Sequence, residues 1–144
     1  MSQERTAQVM RTYLEEAVGK GNMDVIKEFT ADDFIDHSQP DARGPSALID
    51  HASGFRTTFP DVTIEVQHVI GSDDQAVGIW KMKATHSNPF IGVPGTGKTL
   101  EFTIASVFSF RDDMLVDYFV VAGILEAAMQ MGVKLEVATE AAAT

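Results

Sequence analysis

The sequence predicts an α+β fold: a curved mixed, mainly antiparallel sheet covered on one face by three N-terminal helices. Three observations point to it. Apolar residues recur at three- and four-residue spacing through the first sixty residues, as on the buried stripe of a helix. From residue 62 the apolar period drops to two, the period of a half-buried strand. Helices first and strands after them, the strands mostly joined by turn residues, is the α+β order.

Residues 3–18 read as the first helix, with Val9, Met10, Tyr13, Leu14, Ala17 and Val18 on one stripe. Ser2 is placed to cap it, and Gly19 and Gly21 to end it. "NMDVIKEF" (22–29) reads as a second, short helix capped by Asn22, and "ADDFIDH" (31–37) as an extended run toward the loop at Pro40. Gly44-Pro45 opens the third helix, because proline suits a first helical turn. Leu48, Ala52, Phe55 and Phe59 form its buried stripe, and Pro60 stops it.

"VTIEVQHVI" (62–70) alternates, placing Val62, Ile64, Val66 and Ile70 on one face. "GSDD" is a turn, with Asp73 and Asp74 as turn residues, and "QAVGIWKMKATH" (75–86) is the next strand. "LEFTIASVFSF" (100–110) and "MLVDYFVVA" (114–122) follow, joined by "RDD". "ILEAAMQMG" reads as a last short helix. One domain over 1–132 and a flexible Ala-rich tail over 133–144 are expected.

With 44% hydrophobic residues and nine Phe, the chain has the composition of a globular core. The net charge of −10 would repel a polyanion, which argues against nucleic acid as a partner. No apolar run is long enough to span a bilayer, no basic amphipathic stretch would hold a membrane surface, and the polar start lacks a signal peptide. A cytoplasmic protein is expected. The absence of cysteine removes disulfides and thiolate chemistry. No compact set of His and acidic residues has the spacing of a metal site.

"GVPGTGKT" (92–99) matches the phosphate-binding P-loop pattern letter for letter. Its flanks do not. The residues after Lys98 are β-branched and aromatic, where a phosphate loop needs a helix, and Pro89 interrupts the segment before it. The segment reads as a long loop between two strands.

"DFIDH", "FPDVTIEV", "ATHSNPFIGVPGTGKTLEF" and "DYFVVAGILEAAMQMG", in this order and spacing over roughly residues 5–132, resemble the SnoaL-like polyketide cyclase (ester cyclase) family. The resemblance implies a cone-shaped barrel with one open end and an apolar pocket. It implies a homodimer formed through the sheet face, no cofactor and no metal. It also implies acid/base chemistry on a hydrophobic, polyketide-like small molecule, as in antibiotic biosynthesis. The family's acid/base Asp on the last strand aligns with Val120, its His with Tyr118, and a Gln and a His on the preceding strand fall near Ile104 and Ser106. This chain therefore departs from the family where the chemistry is expected.

On that alignment Tyr118 and Ser106 point into the cone, Asp36 and His37 lie at its rim, and His86 ends the strand that leads into the loop. Asp36, His37, His86 and Tyr118 are the catalytic candidates. Phe55, Trp80, Ile104, Ser106, Phe108 and Val120 are the candidate substrate contacts. Each has a structural alternative. Tyr118 and Ser106 could be satisfied core hydroxyls, Asp36 a turn cap, His37 a surface residue, His86 a loop latch, and Trp80 core or interface. His51, between Leu48 and Phe55, reads as a satisfied buried histidine, His68 as an interface or sheet position, and Arg56 as exposed or paired with Asp61. Three functions compete: a cofactor-free cyclase, isomerase or hydratase; a binding module that holds a ligand without converting it, given Val120; and an interaction protein with a vestigial pocket.

Overall fold

The computed structural model describes residues 1–139, so the expectation of a flexible tail lies outside the described residues for 140–144. Residues 133–139 carry neither helix nor strand. Helix α1 (Gln3–Thr12) starts where the Ser2 side chain accepts from the Arg5 N–H at 3.0 Å. It does not continue as an α-helix. Tyr13–Val18 forms a π-helical turn that closes with the Gly19 N–H on the Leu14 carbonyl. The wider turn keeps Tyr13, Leu14, Ala17 and Val18 all buried. Helix α2 (Asp24–Phe29) has Met23 at its cap position and no side-chain cap, so Asn22 does not have the capping role expected of it.

Strand β1 (Thr30–Asp36) is followed by α3 (Pro45–Thr58), β2 (Thr63–Gly71), β3 (Gln75–Thr85), β4 (Thr99–Arg111), β5 (Met114–Ala122) and α4 (Ile124–Gln130). The strands order as β1-β5-β4-β3-β2 in a single open sheet, antiparallel except that β1 runs parallel to β5. The helices cover its concave face. Their approach is close: a Cβ on Gly78 of β3 would lie 2.7 Å from Leu14 Cδ1. Pairing sets the inner rows, with Asp36 opposite Tyr118, Phe108 opposite Tyr118, and Trp80 opposite Ile104.

Two expectations change. The alternation in β2 breaks at a bulge between Val66 and His68, which shifts everything beyond it by one residue. Val69 therefore turns inward, and Ile70 is 65% exposed instead of sharing the face of Val66. Arg56 is neither exposed nor paired with Asp61. Its guanidinium donates to the Val18 and Gly19 carbonyls at 2.8 and 3.1 Å and so closes the end of the π-helical turn. Asp61 instead accepts from the Thr85 N–H and hydroxyl.

The "GVPGTGKT" segment leads directly into β4, with no helix at Lys98. Phe90 and Val93 bond to each other across a tight turn whose two central residues, Ile91 and Gly92, both have positive φ. This is hairpin geometry, not a phosphate cradle.

Candidate active site

A cavity of about 150 Å³ opens between α3, the π-helical turn and the inner faces of β3, β4 and β5. Most of its wall is aromatic or aliphatic. Phe55 stands edge-on to Trp80 at 5.6 Å, and Phe90 stacks on Phe102 at 5.9 Å. Ile104, Val120 and Ala122 complete the sheet side, and Ile124 at the start of α4 also lines it. The polar groups on its wall are His51, Tyr13, Tyr118 and the Trp80 indole.

His51 lies on α3, one helical turn before Phe55. Its Nδ1 is 2.8 Å from Asp36 Oδ2 at the end of β1. Asp36 is fully buried and richly bonded. It accepts from the Ser38 N–H and hydroxyl at 2.9 and 2.7 Å and from the Gln39 amide at 2.9 Å. Burial works to raise its pKa, but the bonds from His51, Gln39 and Ser38 outweigh burial and hold the carboxyl well below the usual range. A carboxylate at Nδ1 fixes the hydrogen there and leaves Nε2 with its lone pair. Among the described residues Nε2 has no hydrogen-bond partner, and the ring faces Tyr118 with centroids 5.0 Å apart.

Tyr118 belongs to a chain of hydroxyls. Trp80 Nε1 donates to Ser106 Oγ at 3.1 Å, and Ser106 Oγ lies 3.2 Å from the Tyr118 oxygen. An indole N–H only donates, so Ser106 accepts from Trp80 and has its own hydrogen for Tyr118. Tyr13 also bonds Tyr118. With its oxygen accepting from these neighbours, Tyr118 has its own hydrogen for a ligand. Burial pushes its phenol up to about 12, against the pull of Ser106 and Tyr13, so it remains a neutral donor at pH 7. Tyr13 is pushed well above the usual phenol value by burial and by Tyr118.

Of the residues singled out in the sequence, Phe55, Trp80, Ile104, Tyr118 and Val120 line the cavity, Ser106 lies directly behind Tyr118, and Asp36 lies behind His51. Three others are elsewhere. Phe108 is fully buried against Tyr13 and Tyr118 and makes no part of the cavity wall; it is packing for the two phenols. His37 is on the outer side, exposed and paired with Asp117 at 2.8 Å. His86 is fully buried in the long loop. Its Nδ1 takes a bond from Thr96, and its Nε2 reaches the Val93 carbonyl at 3.2 Å, so neither nitrogen is left for a substrate.

His51, read in the sequence as a satisfied buried histidine, is bonded to Asp36, keeps 23% of its side chain exposed and lines the cavity. A histidine on an apolar stripe resembles a satisfied core residue, and its partner Asp36 reaches it only through the packing of β1 on α3. Among the described residues no three His, Asp or Glu side chains converge as a metal site. No helix is long and apolar enough to cross a membrane.

The family model for SnoaL-like polyketide cyclases matches residues 7–131. The chain belongs to this family. Solved structures agree on the SnoaL-like fold. TsrD from Streptomyces laurentii is 16% identical, with TM-score 0.81 over 93% of this chain and 99% of its own. IdmH from Streptomyces antibioticus, a candidate polyketide cyclase, is 26% identical, with TM-score 0.70 over 88% and 99%. AclR from Streptomyces galilaeus, a candidate hydroxylase, is 20% identical, with TM-score 0.71 over 93% and 91%. No curated protein matches the chain. SnoaL-like relatives thus share the cone with differing assigned activities, and the chemistry of this chain has to be read from its own cavity.

Proposed function

We propose that this protein is a small-molecule cyclase or isomerase in which His51 is the general base. The observation that carries this reading is the Asp36–His51 pair, with Nε2 unbonded among the described residues, beside an apolar cavity lined by both His51 and Tyr118. His51 Nε2 takes a proton from the carbon beside a substrate carbonyl. The C–H electron pair moves into the new carbon–carbon double bond, and the carbonyl oxygen becomes an enolate oxygen. Tyr118 donates a hydrogen bond to that oxygen where the charge develops. The enolate carbon then attacks a second carbonyl of the same molecule and closes a ring, and His51 returns its proton to the new alkoxide. Reprotonation at a different carbon would give isomerisation with the same residues.

Asp36 does not touch substrate in this scheme; it orients the imidazole and stabilises the imidazolium. The role that the resemblance assigned to an Asp at Val120 passes to a histidine on α3. This reading replaces His37 and His86 as bases, because their nitrogens lie outside the cavity or are already bonded.

The sheet's outer face supports a homodimer. Val77 pairs with Val107 and Ile79 with Ala105, and beside them Phe119 and Val121 are 44% and 60% exposed.

The test is hydrogen exchange at the α-carbon of a bound ketone in D₂O, followed by NMR, with the wild type and His51→Gln. Exchange that is fast in the wild type and lost in the variant supports the base. Binding with no exchange above the buffer rate in either would leave the protein as a binding module.

A further inference from the structure

We propose that the cavity selects an uncharged one- or two-ring ketone, and that it excludes both carboxylates and larger fused-ring systems. This rests on the reading of His51 as a base only for the ketone; the charge and size limits come from the wall.

The charge limit comes from what surrounds a ligand. No Lys, Arg, Asp or Glu lines the cavity among the described residues. Behind His51 stands the Asp36 carboxylate, which is negative, and the Arg56 guanidinium behind Val18 is bonded to the Val18 and Gly19 carbonyls. A substrate carboxylate would lose its water, find no cation on the wall, and face a like charge through one imidazole ring. The wall's donor, the phenol of Tyr118, suits a neutral carbonyl oxygen, while the Tyr13 hydrogen is committed to Tyr118.

The size limit comes from the space inside the wall. An apolar cavity of about 150 Å³ is of the size that holds a single benzene ring. Cavities that enclose drug-sized ligands start at roughly 300 Å³. One ring therefore fills the space lined by Phe55, Trp80, Phe90 and Phe102, and a fused second ring has to extend toward the opening. A longer ring system has to displace wall side chains such as Phe90, and the loop carrying Phe90 is held by His86 through Thr96 and Val93. Its two ends are thus pinned around the turn at Ile91-Gly92.

Trp80 is the single tryptophan of the chain and lies in the wall, so its fluorescence reports occupancy. Titration uses three probes: 2-tetralone, its carboxylate counterpart 1,2,3,4-tetrahydronaphthalene-2-carboxylate, and the three-ring ketone anthrone. The expected result is saturable binding of 2-tetralone, with the other two at least about tenfold weaker. Carboxylate binding as tight as that of 2-tetralone overturns the charge limit, and anthrone binding as tight overturns the size limit. No saturable change with any probe overturns the proposal as a whole. The same titration on His51→Gln separates the two readings. Retained selectivity with lost α-hydrogen exchange supports both. Selectivity without exchange in the wild type removes the base and leaves the substrate class standing.

Discussion

Asp36 Oδ2 lies 2.8 Å from His51 Nδ1, which ties the end of β1 to the middle of α3 at the wall of the cavity. The contact spans fifteen residues of sequence and sets which imidazole nitrogen carries hydrogen. An Asp36→Asn variant keeps the shape but presents an amide that can donate to Nδ1, moving the hydrogen to Nε2. Turnover is expected to fall by about 10²–10⁴-fold with little change in KM. A steady-state comparison of the two proteins checks it; unchanged kcat removes Asp36 from the mechanism.

The same carboxyl makes stability depend on pH. Its folded pKa is depressed, so its contribution is complete above the unfolded value near 4 and is lost as pH falls below it. Wild type is expected to lose more stability than Asp36→Asn between about pH 5 and pH 3. Asp33 and Asp61 are also held below the usual range, by Arg111 and by Thr85 respectively, but both are present in each protein and cancel in the difference. Urea midpoints at several pH values test this. Parallel curves for the two proteins would mean that Asp36 is not held ionised by its neighbours.

Tyr118→Phe removes the hydroxyl but keeps the ring that packs on Tyr13, Phe108 and His51. The expected loss is about 10²–10³-fold in kcat, the cost of one oxyanion donor. Ser106→Ala leaves Tyr118 in place and removes only the hydroxyl that orders it. A smaller loss is expected, together with an unpaired Trp80 N–H. Equal rates for Tyr118→Phe and wild type would show that the oxyanion is held elsewhere.

These roles were unevenly legible in the sequence. Two-residue alternation alone placed Tyr118, Val120 and Ala122 on one face of β5, because antiparallel pairing preserves parity where no bulge intervenes. In β2 the bulge at Val66/His68 defeated the same reasoning, since a one-residue insertion leaves no mark in composition. The π-helical turn was equally hidden: Tyr13, Leu14, Ala17 and Val18 fit an α-helical stripe as well as they fit the wider turn. His51 was visible as a titratable residue on an apolar stripe. Its pairing was not, because the Asp36 contact exists only after β1 packs on α3. His86 is a catalytic candidate in the sequence with a loop latch as its structural alternative, and its bonds to Thr96 and Val93 match the latch, in a loop where Pro89, Gly92, Pro94, Gly95 and Gly97 rule out regular structure.

The outer sheet face gives a test of assembly. Val121→Lys places a charge at a site that is 60% exposed in the protomer and opposite Ala105 on β4. If two copies pair through this face, each variant protomer brings a buried, unpaired lysine to the interface. The variant is expected to run as a monomer in light scattering while keeping its far-UV signal. A wild type that is already monomeric, or a variant that stays dimeric, would place the interface elsewhere or remove it.

The last prediction separates a histidine that holds structure from one that does chemistry. His86 is fully buried, and both its nitrogens tie the 86–98 loop to itself. His86→Ala leaves the Val93 carbonyl and the Thr96 N–H without that partner, at an expected cost of about 1–3 kcal/mol. The turn carrying Phe90 loosens, and Phe90 is one wall of the cavity. Stability should therefore fall clearly, KM should rise, and kcat should stay within about tenfold of wild type, because no proton passes through His86. His51→Gln should do the reverse, with a modest change in unfolding midpoint and near-complete loss of kcat. If His86→Ala instead abolished kcat while the fold and the 2-tetralone affinity were kept, the base would be in the loop, and the Asp36–His51 pair would be a structural tie between β1 and α3.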